Sequence, residues 1–282
     1  MKYDFDENQI IPNIHSNTVT DAFENAYHYV SRFGEEVESR IGKTKHLTDV
    51  TFIVSNPFHN ICLNKTRNMS LKYMLGEICW YMSGSNKVKD IAKYAKMWNN
   101  LTDDGETVNS AYGYRIFHKF GFNQLKYVID KLKANPYDRQ AVIHIKDADN
   151  KPTKDTPCTC LLHFTTYRGK LNLHVYMRSN DIWLGLPYDM AFFTYLLQLV
   201  SSETDIPVGL YYHTVGDLHI YERHLGKDVG FTADEDLEGK EWVCDLDEPE
   251  DMLEALEDAP EGVCPFIEGT VFEELWRINN GK

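Results

Sequence analysis

Apolar residues recur along this chain at two spacings, and each spacing predicts an element. Between residues 20 and 33, Ala22, Phe23, Ala26, Tyr27, Val30 and Phe33 fall at helical intervals, with Thr18 or Thr20 as candidate caps. Residues 49–54 read as a strand closed by Asn56-Pro57. Residues 69–82 form a strongly apolar helix candidate with Gly84 available at its end, and Glu77 stands out of character inside it. Residues 122–132 predict an amphipathic helix that stops before Pro136. Three strands follow at 141–145, 161–166 and 171–177, the last two joined through Tyr167-Arg168-Gly169-Lys170 as a hairpin. Helical character returns at 189–203. Residues 245–258, with Leu246, Met252, Leu253, Leu256 and an early Pro249, predict a helix laid loosely on the body. The alternation of strands and buried helices predicts an α/β (α+β) fold, a large mixed sheet with packed helices.

Composition narrows the choice of function. The 282 residues, 43% hydrophobic, suffice for one large core, and no Pro/Gly/Ser-rich linker divides them. Met1-Lys2-Tyr3-Asp4-Phe5-Asp6 has no apolar stretch behind it, and no window approaches the roughly 20 residues that span a bilayer. A soluble, cytoplasmic protein is therefore expected. The six cysteines are too sparse for a disulfide scaffold. Cys158-Thr159-Cys160 lacks zinc-site spacing and has no second pair to complete it, so no metal is expected.

The net charge of −14 is unevenly spread, because residues 234–261 hold 14 Asp/Glu and one Lys. The rest carries 28 basic against 29 acidic side chains. Such a body has no basic footprint for a nucleic-acid polymer, and no membrane partner is expected either, whereas a few local arginines suffice for a small phosphate ester. The acidic stretch itself reads as a solvated surface helix. There is no internal repeat and no glycine-rich dinucleotide or phosphate loop.

The candidate chemistry centres on Cys158, followed by Met177-Arg178-Ser179-Asn180-Asp181 and then Leu184-Gly185-Leu186-Pro187-Tyr188-Asp189. Together these supply a nucleophile, an anion-binding pair and a lone carboxylate. With Asp138-Arg139-Gln140 before them and Gly216-Asp217-Leu218-His219-Ile220-Tyr221 after, they occur in the order and approximate spacing of the thymidylate synthase family. Arg40-Ile41-Gly42 resembles that family's phosphate-binding loop, Gly76-Glu77-Ile78-Cys79-Trp80-Tyr81 its glutamate helix, and Ala111-Tyr112-Gly113 its tyrosine turn. The resemblance runs from about residue 15 to 228. It implies a catalytic domain at 1–228, an acidic extension at 229–282 packed on it, and a sheet-to-sheet homodimer.

Residue by residue, the resemblance implies that Cys158 adds to pyrimidine C6, and that Glu77 with Tyr112 organises water and relays protons. Arg178, Ser179 and Arg40 would hold the phosphate, with Arg139 reaching across from the partner subunit; Gln140 stands where many members carry a second arginine. His219 and Tyr221 would meet the sugar 3′-hydroxyl. The implied cosubstrate is 5,10-methylenetetrahydrofolate, with Asp181 at its pterin ring, Gly185 allowing close approach and Trp98 stacking, though Trp98 reads equally well as core.

Two departures bear on the branch. Asp189 stands where synthases have asparagine, and Thr159 where they have histidine. Both resemble the deoxycytidylate hydroxymethylase branch. A carboxyl group can donate to cytosine N3 when protonated and accept from its 4-amino group, so Asp189 raises the expectation of dCMP as substrate and 5-hydroxymethyl-dCMP as product. The end of the chain from Trp276 does not resemble the apolar tail that synthases close over their ligands, which favours water over hydride at the last step. A product of this kind suits a bacteriophage that modifies its DNA. The alternatives are a CMP enzyme, a dUMP hydroxymethylase or thymidylate synthase, and, outside enzymes, a nucleotide-binding protein without turnover; deoxyribose against ribose stays open.

Overall fold

The computed structural model describes residues 13–148, 152–232, 249–266 and 270–281. Much of the acidic stretch, including the expected helical residues 245–248, lies outside them. Among the described residues an eight-stranded mixed sheet runs in the order β1-β3-β8-β6-β5-β4, with β2 paired to β3 and β7 to β8. The strands are β1 Asn13–Ser16, β2 Glu35–Ser39, β3 Gly42–Val54, β4 Val142–His144, β5 Thr159–Tyr167, β6 Lys170–Met177, β7 Asn180–Asp181 and β8 Val208–Tyr221. No described helix is long and apolar enough to cross a membrane.

Two crossovers build the parallel parts of the sheet, as parallel neighbours require. Helix α1, Val19–Phe33, connects β1 towards its parallel partner β3. Its start is set by a capping box in which the Thr18 hydroxyl accepts from the Asp21 N–H and the Asp21 carboxylate accepts from the Thr18 N–H. Of the predicted apolar stripe, Ala22, Phe23, Ala26, Tyr27 and Val30 are buried, while Phe33 is exposed. The second crossover links β6 to its parallel partner β8 through the long helix Leu186–Thr204.

Helix α2, Leu71–Met82, starts at Ser70, whose hydroxyl accepts from the Tyr73 N–H. After it come the short helices α3, Val88–Ala92, and α4, Tyr112–Tyr114, the latter running into the π-helical turn Arg115–Lys119. Then follow α5, Gln124–Ala134, and α6, Leu186–Thr204, most of whose apolar residues are buried. The predicted hairpin is present: Tyr167 pairs with Lys170, and Arg168 and Gly169 both adopt positive φ (52° and 74°), as a two-residue hairpin loop demands.

Two strands differ from the sequence pattern. β3 begins at Gly42, seven residues before the apolar run, and Asp49 is a left-handed residue (φ 55°) skipped by the β3–β8 pairing. β8 is a 14-residue strand of which only the last motif stood out in the sequence. Both escaped the hydrophobic pattern because polar residues are interspersed: the first half of β3 is largely polar, and on β8 Asp217, His219 and Tyr221 line a cleft while Tyr211, Val215, Leu218 and Ile220 are buried in the core.

The carboxy-terminal helices α7, Pro249–Asp258, and α8, Val271–Asn279, both contact α2. Lys72 pairs with Glu257 at 3.2 Å. Asn279 accepts from the free N–H of Leu71, the first residue of α2, at 2.9 Å, while its amide donates to Asn68 Oδ1 at 2.7 Å and Met69 O at 2.8 Å. The end of the chain thus caps the helix that carries Glu77. Asn279→Ala should cost about 1 kcal/mol of stability, the worth of a partly exposed cap and its companion hydrogen bonds. A urea-denaturation midpoint equal to that of the parent protein would contradict this contact.

Candidate active site

One cleft of about 940 Å³ gathers residues from α2, the Tyr112 turn, the β6–α6 connection and the end of β8. Cys158, Glu77, Tyr112, Asp189, Arg40, Arg178, Ser179, His219, Tyr221, Asp181, Gly185 and Trp98 all line it. Arg139 does not: it is exposed and outside the cleft of its own chain. Neighbouring Gln140 accepts from Lys131 Nζ at 2.9 Å.

Cys158 lies just before β5, and burial pushes its thiol up to about 11, against the opposing effect of Arg178. Arg178 Nη2 lies 3.7 Å from Cys158 Sγ. The same guanidinium donates to Pro157 O at 3.1 Å and Thr156 O at 2.9 Å, so the arginine clasps the nucleophile loop as well as facing the thiol.

On α2 the four-residue spacing of Tyr73, Glu77 and Tyr81 puts all three side chains on one helix face. Both phenols donate to Glu77 Oε1, at 2.8 and 3.3 Å. Burial raises Glu77 to about 7 despite these hydrogen bonds. Trp98 Nε1 donates to Tyr73 OH at 3.1 Å, which makes Trp98 both core and cleft wall. Tyr112 stacks on Tyr81 with ring centroids 5.1 Å apart. This approach needs Gly113, since a Cβ there would collide with the Tyr81 carbonyl.

The β6–α6 connection is shaped by Asp181. Its Oδ1 accepts from the N–H groups of Trp183 (2.8 Å) and Leu184 (3.0 Å), turning the chain into α6 and leaving Oδ2 for the cleft. Gly185 precedes the helix, and a side chain there would crowd Asn180 and Asp189. Asp189 sits in the first turn of α6, where the helix field favours an anion by about 0.3–1 kcal/mol. Burial, reinforced by Glu77 nearby, outweighs this and raises the carboxyl to about 8. Asn180 Nδ2 donates to Asp189 Oδ2 at 2.7 Å, and Asn180 Oδ1 is buried without a hydrogen-bond partner.

Along β8, Asp217, His219 and Tyr221 alternate onto one face. Burial lowers His219, but the Asp217 hydrogen bond and the charges of Asp181 and Asp217 more than offset it, so the imidazole is raised overall. Its Nδ1 lies 3.4 Å from Ser179 Oγ and 3.3 Å from Asp217 Oδ1, and Asp217 Oδ2 lies 2.9 Å from His46 Nδ1. His219 meets the Tyr221 ring edge-on at 5.4 Å. Arg40 is exposed, on the turn between β2 and β3.

The thymidylate synthase family profile matches residues 21–231. The chain belongs to the thymidylate synthase family. It is similar to the deoxyuridylate hydroxymethyltransferase of Bacillus phage SP01, with 32% identity over 215 residues. The match takes in 71% of this chain and 56% of the phage protein, so the chain spans little more than half the length of that relative.

The expected assignment to the deoxycytidylate branch, and with it dCMP as substrate and a deoxycytidylate 5-hydroxymethyltransferase as the enzyme, is overturned by that match, since the relative is named for deoxyuridylate. The physical reason lies in the protonation of Asp189. Near neutral pH a carboxyl raised to about 8 is largely the neutral acid, with one donor and one acceptor. It can turn either way, accepting from uracil N3–H while donating to O4, or donating to cytosine N3 while accepting from the amino group. An aspartate in place of asparagine therefore does not exclude uracil.

The residues that sequence reasoning passed over are Tyr73, Tyr81, Asn180 and Asp155. The tyrosines carried a usable signal, four residues on either side of a lone buried acid. Asn180 was inside a quoted motif, but its bond to Asp189 closes only when β7 and α6 are placed.

Glu77 and Asp189 both hold a proton more tightly in the folded chain than in the unfolded one. Their contribution to stability is complete below their ordinary values of 4.5 and 3.8, and it is lost as pH rises through about 7 and about 8. Asp189→Asn should therefore flatten the fall in stability of the empty protein across this interval. Parallel stability profiles for variant and parent would refute the buried neutral acid.

Proposed function

We propose that this protein is a folate-dependent hydroxymethyltransferase acting on deoxyuridylate, forming 5-hydroxymethyl-dUMP and tetrahydrofolate from dUMP, 5,10-methylenetetrahydrofolate and water. The observation that carries this reading is the similarity, across 71% of the chain, to a protein named deoxyuridylate hydroxymethyltransferase. The cleft chemistry supports it.

Pyrimidine C5 is a poor nucleophile until a thiolate adds at C6. Cys158 is the group for that addition, and the Arg178 guanidinium at 3.7 Å favours its anion. Addition drives charge onto O4, where the O–H of neutral Asp189 can donate, a hydrogen bond that strengthens as the enolate forms. In this reading Arg178, Ser179 and Arg40 take the phosphate, and His219 with Tyr221 the sugar; all five line the cleft. Arg40 and Arg178 suit phosphate because a guanidinium fork matches its oxygens.

The cleft lies near the upper end of the usual range for ligand pockets, roughly 300–1,000 Å³, leaving room for a nucleotide and a second ring system. Trp98, Leu184, Gly185 and Tyr188 offer an apolar wall with Asp181 Oδ2 beside it, a set that fits a pterin. When bound, methylenetetrahydrofolate supplies the one-carbon unit. C5 would gain this unit and pass its proton to solvent as the bond to the tetrahydrofolate nitrogen breaks with its pair on nitrogen, leaving an exocyclic methylene, and Glu77, steadied by Tyr73 and Tyr81, would take the proton of the water that adds to it. With a pKa of about 7, Glu77 can accept and return a proton near neutrality.

The proposal includes a homodimer joined through the sheet face that bears the half-buried His174 and Tyr212, stacked at 4.5 Å, and exposed Tyr176. Arg139 would then reach the partner's phosphate. In this reading residues 1–228 form the catalytic part and the acidic end an extension upon it.

Separate incubations with dUMP, dCMP and CMP in the presence of methylenetetrahydrofolate should give a product heavier by one CH₂O unit from dUMP. A gain of only CH₂, with dihydrofolate, would mark a synthase, and turnover of a cytosine nucleotide alone would overturn the uracil reading. Cys158→Ala should abolish release of tritium from C5 of dUMP, whereas retained release would remove the nucleophile. For the dimer, Cys158→Ala and Arg139→Ala should each be inactive but regain activity when mixed and refolded together. Absence of complementation would return Arg139 to its own subunit or to no role.

A further inference from the structure

The cleft holds another carboxyl to which the reaction as described gives no task. Asp155 lies three residues before Cys158 and lines the same cleft as Glu77 and Tyr112. Its backbone carbonyl accepts from Asn109 Nδ2 at 2.9 Å, and its Oδ2 accepts from the Ser110 N–H at 2.9 Å. These bonds stitch the nucleophile loop to the turn that carries Tyr112. The Ser110 side chain also bonds this carboxyl, and the charges of Arg115 and Arg178 favour its anion, so the group has support for a charge that the backbone stitch alone does not use. Burial raises Asp155, and its charge in turn pushes the Cys158 thiol up, which works against the nucleophile. An anion kept beside a sulfur that must itself become anionic is a cost to the first step of the reaction. A gain at a later step offsets it.

Resting on the hydroxymethyltransferase reading, we propose that Asp155 is a catalytic residue of the water-adding step, holding the attacking water beside the nucleophile while Glu77 takes its proton. A carboxylate has about four lone-pair sites, and the Ser110 backbone bond leaves acceptor capacity for one hydrogen of a water. The water oxygen forms a bond to the exocyclic methylene carbon, and the π pair of that double bond moves towards C4 and O4. The pair then returns as the C5–C6 double bond, the Cys158 sulfur leaves C6 with its electron pair, and the proton lost from water resides on Glu77. No oxidant or reductant is needed.

The test is the ratio of hydroxymethylated product to tritium released from C5 of dUMP. Asp155→Asn keeps an oxygen for the Ser110 N–H but removes the charge that holds water. Product per tritium should fall by about 10-fold or more, the lower part of the range for a positioned acid–base group. Release of tritium should fall less than product. An added small thiol should capture the waiting methylene as a thioether detected by mass. If Asp155→Asn does not fold, Asp155→Ser provides the same comparison. A ratio equal to that of the parent protein, with no thioether, would overturn the role of Asp155 and leave only the stitch. Failure of the parent protein to release tritium at all would instead remove the hydroxymethyltransferase reading.

Discussion

Removing two carboxyl groups from water, on two different helices facing one cleft, is the constraint around which this molecule is arranged. Glu77 and Asp189 are held near and above neutrality by burial, and Glu77 adds to the cost of ionising Asp189. A buried polar group without partners costs about 1–3 kcal/mol. The fold accordingly gives each one donors: Tyr73 and Tyr81 to Glu77, Asn180 to Asp189. Those donors are in turn fixed, Tyr73 by Trp98 and Asn180 by its place in β7.

The supports of the cleft extend well away from it. α2 can present Glu77 only if its first turn is anchored, and the anchors are Ser70 on the local chain and Asn279 from the end of the last described helix. Ser70 also donates its N–H to Tyr188 OH at 3.0 Å, joining the start of α2 to the cleft wall on α6. The acidic region whose composition dominates the charge of the chain contributes α7 to the same helix, through Lys72 and Glu257. Its described part is a packing element of the α2 layer.

Asp189 also shows how one departure from a family pattern can be read too narrowly. The sequence located it and recognised that a carboxyl there differs from an amide. The inference to cytosine assumed that the difference chooses between two bases. Burial makes the group a neutral acid, and a neutral acid, like an amide, offers one donor and one acceptor. Which of its oxygens donates depends on how the carboxyl is turned, and Asn180 is bonded to one of them.

The elements with strong local patterns were legible from residues alone. α1, α2, α5 and the hairpin of β5 and β6 appear within a few residues of where periodicity puts them, because a helix or hairpin with one apolar face and its own cap or turn carries its instructions locally. The nucleophile, the arginine–serine pair and the lone acids were legible too, as chemistry that no core requires. The first half of β3 and most of β8 were not, since polar Lys43, Lys45 and His46 on β3 and cleft-lining Asp217 and His219 on β8 break the alternation that marks a strand. What tertiary structure alone decided was which acids lose water, which tyrosines and amides serve them, and that Asp155 stands beside Cys158 while Arg139 does not reach it within one chain. Such facts are set by burial and by distances between segments far apart in sequence, and a protonation state, unlike a periodicity, exists only once the surrounding chain has excluded the solvent.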